Sequence, residues 1–218
     1  QLVAQGYKTL KAKIGRDIEA DIDVLEAVRS EVGNEITLRV DANMGWPSAK
    51  EAVRHIEEIS VFDLELVEQP LPPDDIEGLR FVRERVDLPI MADESIWTPH
   101  DAMHCIRHQA VDVFNVYVSE AGGLGSAARI FSIAEAARLP CIIGSMPELG
   151  IGTAAQAHLA FAMPNLGYAS DVNGCVYHSG DVINEKLPIE DGYMLLPSGP
   201  GLGVSLDEAA LDKYRIDR

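Results

Sequence analysis

Three short apolar runs decide the fold: ITLRVDAN at residues 36–43, LELVEQP at 64–70 and LPIMADES at 88–95. Each run closes on an acid, and these acids are Asp41, Glu68 and Asp93. Amphipathic helical patterns separate the runs, which predicts three neighbouring parallel strands whose carboxyl ends meet. Three converging carboxylates repel one another unless a cation joins them, and their hard oxygen atoms suit Mg²⁺. The alternative is that the three acids are unrelated and only cap the helices that follow.

The same alternation of strand and helix runs along the whole chain, with a period of roughly 25 residues. The predicted strands lie at 7–14, 36–41, 64–68, 88–93, 111–118, 141–144 and 166–169. Seven such βα units indicate an α/β protein with a parallel sheet, either doubly wound or closed into a (β/α) barrel. No GxGxxG follows the first strand, whereas polar residues end many of the strands, and this pattern favours the barrel.

A closed barrel has eight strands, one more than the sequence provides. We therefore expect the chain to begin after the first barrel strand. Residues 1–218 are predicted to form one barrel domain that is truncated at its amino terminus.

Composition excludes several classes of partner. The formal charge of −17 argues against nucleic acid and anionic membrane surfaces, because both attract basic proteins. No apolar run approaches the roughly 20 residues of a membrane-spanning helix. The three cysteines are far apart and form no CxxC, which indicates free thiols in a reducing compartment and predicts a cytoplasmic protein. A homo-oligomer that acts on a small carboxylate is expected.

Lys11 and Lys13 lie two residues apart at the end of the first predicted strand, so both point to one face. Two neighbouring ammonium groups repel, and each is expected to lower the pKa of the other. A lysine brought towards neutrality can act as a base. A KxK pair is a weak signal by itself, because a solvated basic strand edge has the same sequence.

Taken together, these motifs resemble the enolase superfamily, in the muconate lactonizing enzyme subgroup of the mandelate racemase/muconate lactonizing enzyme family. The similarity rests on Lys11-x-Lys13, Asp41-x-Asn43, Glu68-Gln69-Pro70, Asp93-Glu94-Ser95, Asn115, Gly122-Gly123-Leu124 and the run from Gly144 to His158. The resemblance implies a carboxyl-terminal barrel that follows an α+β capping domain. We expect that cap and the first barrel strand to be absent from these 218 residues.

The resemblance also implies a role for each matching residue. It makes Asp41, Glu68 and Asp93 the Mg²⁺ ligands and Lys13 the acid/base. Lys11 then tunes Lys13 and contacts the substrate carboxylate. Asn43, Asn115 and Glu148 are the expected substrate-binding residues. The implied reaction removes the proton α to a carboxylate and passes through a metal-stabilised enolate.

One position departs from the family pattern. Members of this subgroup usually carry a lysine at the end of the sixth barrel strand, opposite the KxK pair, and here Tyr117 occupies that place. A phenol with an ordinary pKa near 10 donates protons but is a poor base. We therefore favour one-base dehydration or cycloisomerisation of a small carboxylic acid. The alternatives are a racemase or epimerase of an amino-acid, imino-acid or hydroxy-acid derivative, with Tyr117 as second acid/base, and a metal-binding barrel without catalysis.

Overall fold

The computed structural model describes residues 1–216 and contains a parallel sheet of six strands. The strands are β1 (Thr9–Lys13), β2 (Thr37–Asp41), β3 (Leu64–Glu68), β4 (Ile90–Ala92), β5 (Val113–Val116) and β6 (Cys141–Ile143). They pair strictly in chain order and every pairing is parallel. A doubly wound sheet reverses its order at a switch point, so this order confirms the prediction of a barrel-type α/β fold.

The prediction of a seventh strand at 166–169 is wrong, because this segment does not form a regular strand of the sheet. Leu166 makes only an isolated parallel bridge with Cys141. Beyond it, the hydroxyl of Ser170 accepts a hydrogen bond from the Ile143 N–H at 3.0 Å, a place that a backbone carbonyl takes in a regular ladder. The segment therefore runs beside β6 without extending the sheet.

Helices follow the strands as the apolar periodicity predicts. They are α1 (Ile18–Val32), α2 (Ala49–Ile59), α3 (Ile76–Arg83), α4 (Pro99–His108), α5 (Leu124–Ala136), α6 (Gly150–Ala162) and α7 (Glu208–Tyr214). Side-chain caps fix where the first four begin, since their N-cap residues accept hydrogen bonds from the first turn; these residues are Asp17, Ser48, Asp75 and Thr98. Thr98 also forms a reciprocal capping box with Asp101.

Apolar residues form two layers, one on each side of the sheet. The larger layer lies between the strands and the helices. The smaller one lies on the other face and consists of Leu66, Met91, Val113 and Ile142, with Tyr168 packed against them. Side chains two residues apart in a strand share a face, so the residues that follow this inner cluster at the carboxyl ends point to the same side. This alternation positions the candidate site described below.

The sheet is open between β1 and the segment after α6. A cavity of about 410 Å³ lies there, bounded in part by Tyr7, Thr9, Phe161 and Tyr168. The hairpin of β7 (Ile189–Glu190) and β8 (Tyr193–Met194) forms another part of its wall. Within residues 1–216, no helix has both the length and the apolar character that crossing a bilayer requires.

The environments of the three free thiols predict an order of reactivity. Burial raises the pKa of Cys105 and of Cys141 to about 12, and both side chains are inaccessible, whereas Cys175 is partly exposed. Because the thiolate is the reactive form, a disulfide reagent at pH 8 is expected to modify Cys175 first and the other two only in denaturant. The count of released chromophore against time checks this order. Rapid titration of three thiols in the native protein would contradict the packing described.

Candidate active site

Asp41, Glu68 and Asp93 converge at the carboxyl ends of β2, β3 and β4. One carboxylate oxygen from each lies within 4.8 Å of the other two. The register explains this convergence, since Asp41 pairs with Glu68 and Glu68 pairs with Met91, two residues before Asp93. The residues are 0%, 0% and 6% exposed, so water screens their charges poorly. Among residues 1–216 this is the one group of three or more acidic, histidine or cysteine side chains close enough to share a metal ion.

This carboxylate cluster (Asp41, Glu68 and Asp93) is electrostatically unbalanced. Burial, followed by the charges of Glu68, Glu94 and Asp41, raises the pKa of Asp93 to about 9. Burial raises the pKa of Glu68 as well, although Lys11 opposes that rise. A divalent cation would relieve the repulsion, and three carboxylate oxygens are the donors that Mg²⁺ prefers. The residues present therefore fit a Mg²⁺ ion.

Lys13 stands at the edge of the cluster that faces solvent. Its Nζ lies 2.5 Å from Asp41 Oδ2 and donates to Asn43 Oδ1 at 2.7 Å. Its side chain is 60% exposed, which leaves the amine open to a small molecule at the mouth of the sheet. The Asn43 N–H in turn donates to Asp41 Oδ1 at 2.8 Å, so the DxN motif holds both the acid and the amide beside Lys13.

Lys11 is partly buried, with its side chain 16% exposed, and carboxylates surround its ammonium. Its Nζ lies 2.8 Å from Asp171, 3.1 Å from Glu68 and 3.9 Å from Asp41. Burial works to lower the pKa of Lys11, but the three acids outweigh it and leave that pKa raised. The expectation that Lys13 lowers this pKa is therefore wrong for Lys11, because the attraction of Glu68, Asp171 and Asp41 raises it.

Tyr117 and Asn115 lie on the inner face behind the cluster. The Tyr117 hydroxyl donates to Asp93 Oδ2 at 3.3 Å and accepts from Asn115 Nδ2 at 3.4 Å. Asn115 Nδ2 also donates to Glu68 Oε1 at 2.6 Å. Burial, then the charges of Asp93 and Glu68, raises the pKa of Tyr117. Tyr117 is thus a neutral hydrogen-bond donor that steadies a carboxylate of the cluster.

Glu148 lies in the loop before α6. It accepts from Ser145 Oγ at 2.5 Å, from the Met146 N–H at 3.1 Å and from Ser119 Oγ at 3.2 Å. None of its hydrogen bonds among the described residues goes to Asp41, Glu68 or Asp93. Every other site residue that the sequence suggested is joined to the cluster by a hydrogen bond or an ion pair, directly or, for Asn43, also through Lys13.

Two residues to which the sequence pattern assigns no role support the site. Gln69 is fully buried with φ of 36°, and its Oε1 accepts from the Asp93 N–H at 2.9 Å while its Nε2 donates to Ser95 Oγ at 2.8 Å. It thereby fixes the end of β4. Asp171, the ion-pair partner of Lys11, follows the predicted seventh strand. Its position just after a predicted strand, like that of the three cluster acids, is the sequence signal that could have identified Asp171 as a site residue.

Gly144 provides the space for the Tyr117 ring. A Cβ at this position would overlap ring carbons of Tyr117 and the Oδ1 of Asn115. Gly144→Ala is expected to lower the free energy of unfolding by about 1–3 kcal/mol through overpacking, measured by urea denaturation. The matched control is Gly125→Ala in α5, where a Cβ meets only Arg129 Nη1 at 4.0 Å and helix propensity favours alanine. Equal stability of the two variants would contradict this packing.

Comparison with known proteins supports one family. Residues 1–210 match the family described as "Enolase C-terminal domain-like". The chain is 38% identical over 203 residues to the L-Ala-D/L-Glu epimerase of Bacillus subtilis, which covers 92% of this chain and 55% of that relative. It therefore spans a little over half the length of this relative.

Solved structures agree with this relationship. The 2-chloromuconate cycloisomerase of Rhodococcus opacus superposes with a TM-score of 0.93 at 34% identity, over 99% of this chain and 58% of that one. The dipeptide epimerase of Enterococcus faecalis, solved with Mg and the dipeptide L-Leu-L-Tyr, gives a TM-score of 0.88 at 38% identity, over 93% and 57%. The expectation of an enolase-type barrel is confirmed, and the chain belongs to the enolase C-terminal domain-like family.

Proposed function

We propose that the protein carrying this chain is a Mg²⁺-dependent enzyme that removes the proton α to the carboxylate of a small acid. Within that class we propose one-base chemistry, either dehydration or cycloisomerisation. The observation that carries the proposal is the pairing of an accessible amine, Lys13, with a buried carboxylate cluster whose opposite side is occupied by the neutral phenol of Tyr117.

The proposed metal ligands are Asp41, Glu68 and Asp93. A bound Mg²⁺ would supply the positive charge that stabilises the negative charge developing on the substrate carboxylate when its α-proton leaves. The Mg-bound dipeptide epimerase of Enterococcus faecalis supports this choice of ion. Asn115 and Tyr117 would keep Glu68 and Asp93 oriented through the hydrogen bonds described above.

Lys13 is the proposed base. In its neutral form, its Nζ would take the α-proton, and the Oδ1 of Asn43, 2.7 Å away, would accept a hydrogen bond from the ammonium that results. Lys11 stays cationic beside its three acids and would attract the substrate carboxylate. In a syn dehydration, Lys13 would return the proton to the departing hydroxyl, which leaves as water.

Whether the proposed chemistry uses one base or two depends on whether Tyr117 can act as a second base. Racemisation needs a group on the second face that both gives and takes a proton. Burial and the neighbouring carboxylates disfavour the phenolate, so Tyr117 is suited to donating a hydrogen bond and unsuited to acting as a base.

Epimerisation is the second candidate, because the Bacillus subtilis and Enterococcus faecalis relatives are named as dipeptide epimerases. In that case Tyr117 would protonate the second face and recover its proton afterwards.

The oligomeric state and the compartment stay predictions, namely a homo-oligomer in the cytoplasm. The formal charge of −17 supports the prediction that nucleic acid is not a partner.

A panel of small acids tests the proposal. Muconate, N-succinyl-L-arginine, L-Ala-L-Glu, L-Leu-L-Tyr and β-hydroxy acids would be incubated with the full protein, with Mg²⁺ or with EDTA, and the products followed by proton NMR. Loss of water or ring closure that depends on Mg²⁺ is expected. Epimers of the dipeptides as main products would favour the second candidate, and no Mg²⁺-dependent change in any acid would favour a barrel that binds metal without catalysis.

A further inference from the structure

The Lys11 ammonium lies between the carboxylate cluster and an acid outside it. Its shortest contact is with Asp171 at 2.8 Å, followed by Glu68 at 3.1 Å and Asp41 at 3.9 Å. An ammonium and a divalent cation compete for the same carboxylate oxygens. The position of Lys11 therefore affects how freely Glu68 and Asp41 can bind a metal ion.

Asp171 is held by the backbone of the strand beside it. Its N–H donates to the Ile143 carbonyl at 2.8 Å, and the Ile143 N–H donates to the hydroxyl of the preceding Ser170 at 3.0 Å. Its carboxylate, 29% exposed, reaches from this segment to Lys11 on β1 across the open side of the sheet. Asp171 is thus anchored independently of the strands that carry the cluster.

Without Asp171, the ammonium would keep only acids of the cluster as close partners. Coulombic attraction grows as distance shortens, so Lys11 would move onto Glu68 and Asp41. The Lys11 ammonium would then neutralise the carboxylates of Glu68 and Asp41, and a metal ion would have to displace this ammonium before it could bind them.

We propose that Asp171 is a positioning residue that draws the Lys11 ammonium away from Asp41 and Glu68 and so keeps the cluster available to Mg²⁺. This inference rests on the proposed Mg²⁺ site and adds a determinant of its affinity. A simpler explanation is that Asp171 attracts Mg²⁺ only through its own charge. The two explanations differ in whether the effect of Asp171 requires Lys11.

A double-mutant cycle separates them, with Mg²⁺ affinity of the full protein measured by isothermal titration calorimetry. Asp171→Asn is expected to raise the Mg²⁺ dissociation constant about tenfold in the natural background, and by less than about twofold when Lys11→Met is also present. Asp171→Glu keeps the charge and is expected to stay within about threefold of the natural protein. Glu84→Gln, which removes an ion pair of the same 2.8 Å length between Glu84, the residue after α3, and Arg80, is the matched control and is expected to leave the affinity unchanged.

An equal loss of affinity with and without Lys11 would overturn the inference in favour of a direct charge effect. No loss in Asp171→Asn would also overturn it while leaving the Mg²⁺ site intact. Absence of Mg²⁺ binding by the natural protein would instead refute the proposed function, and the inference with it. Circular dichroism of each variant shows whether it is folded. If Asp171→Asn does not fold, Asp171→Ser, measured with and without Lys11→Met, provides the same test.

Discussion

Lys13→Ala is expected to lower the rate of Mg²⁺-dependent α-proton removal by roughly 10²- to 10⁴-fold, the range that a positioned general base contributes. The physical reason is that Lys13 is the accessible amine beside the carboxylate cluster, whereas Lys11 is paired with three acids and stays protonated. The measurement is kcat/KM on whichever acid of the panel reacts. Lys50→Ala, which removes an exposed lysine at the start of α2, is the matched control and is expected to keep full activity.

Lys13→Arg separates the charge of Lys13 from its basicity. A guanidinium remains protonated, so it can preserve the attraction to Asp41 but cannot take a proton. We expect this variant to bind Mg²⁺ and to be nearly as inactive as Lys13→Ala. Substantial activity in Lys13→Arg would show that Lys13 acts through its charge and that another group is the base.

Asp93→Asn is expected to change stability in opposite directions with and without metal. In EDTA the buried acids repel, and an asparagine removes one of them while keeping an acceptor for the Tyr117 hydroxyl. We expect Tm to rise by several degrees, since about 1 kcal/mol shifts a chain of this size by roughly 2–4 °C. With Mg²⁺ present, the natural protein is stabilised by ligand binding and the variant much less.

Thermal melts at several Mg²⁺ concentrations measure both effects. Asp74→Asn is the matched control, because Asp74 is an exposed acid in the loop after β3 and lies outside the cluster. The Tm of Asp74→Asn is expected to equal that of the natural protein both in EDTA and in Mg²⁺. A lower Tm of Asp93→Asn in EDTA would mean that the carboxylate stabilises the apo fold, contrary to the electrostatics described here.

The carboxylate cluster could be predicted from sequence because its geometry depends on strand ends. Each acid closes an apolar run, and parallel pairing in chain order brings the ends of successive runs together. Helix starts follow equally local rules, since serine and threonine are favoured N-cap residues and Ser48 and Thr98 cap α2 and α4. Local rules of this kind act within a few residues and are written directly into the sequence.

Contacts across the open side of the sheet could not be predicted in this way. Asp171 contacts Lys11 although the two are 160 positions apart in the chain, and together with Glu68 it reverses the expected direction of the Lys11 pKa shift. Pairing with β6 stops after the bridge at Leu166, because the Ile143 N–H donates to the side-chain hydroxyl of Ser170 and not to a backbone carbonyl. Likewise, the Tyr117 ring packs against Gly144 where a Cβ would otherwise lie, and no local sequence pattern predicts this contact between neighbouring strands.

We propose that Lys13 acts alone on one face of the substrate, while the Tyr117 hydroxyl on the other side of the cluster donates to Asp93 and takes no proton. The most direct test of this central claim is solvent exchange at the α-carbon, with the protein, Mg²⁺ and a reactive chiral acid in deuterium oxide. Proton NMR and chiral chromatography of the substrate recovered at partial conversion then locate the deuterium. We predict deuterium in the epimer of unchanged configuration alone, and its appearance in both epimers at similar rates would contradict the one-base account.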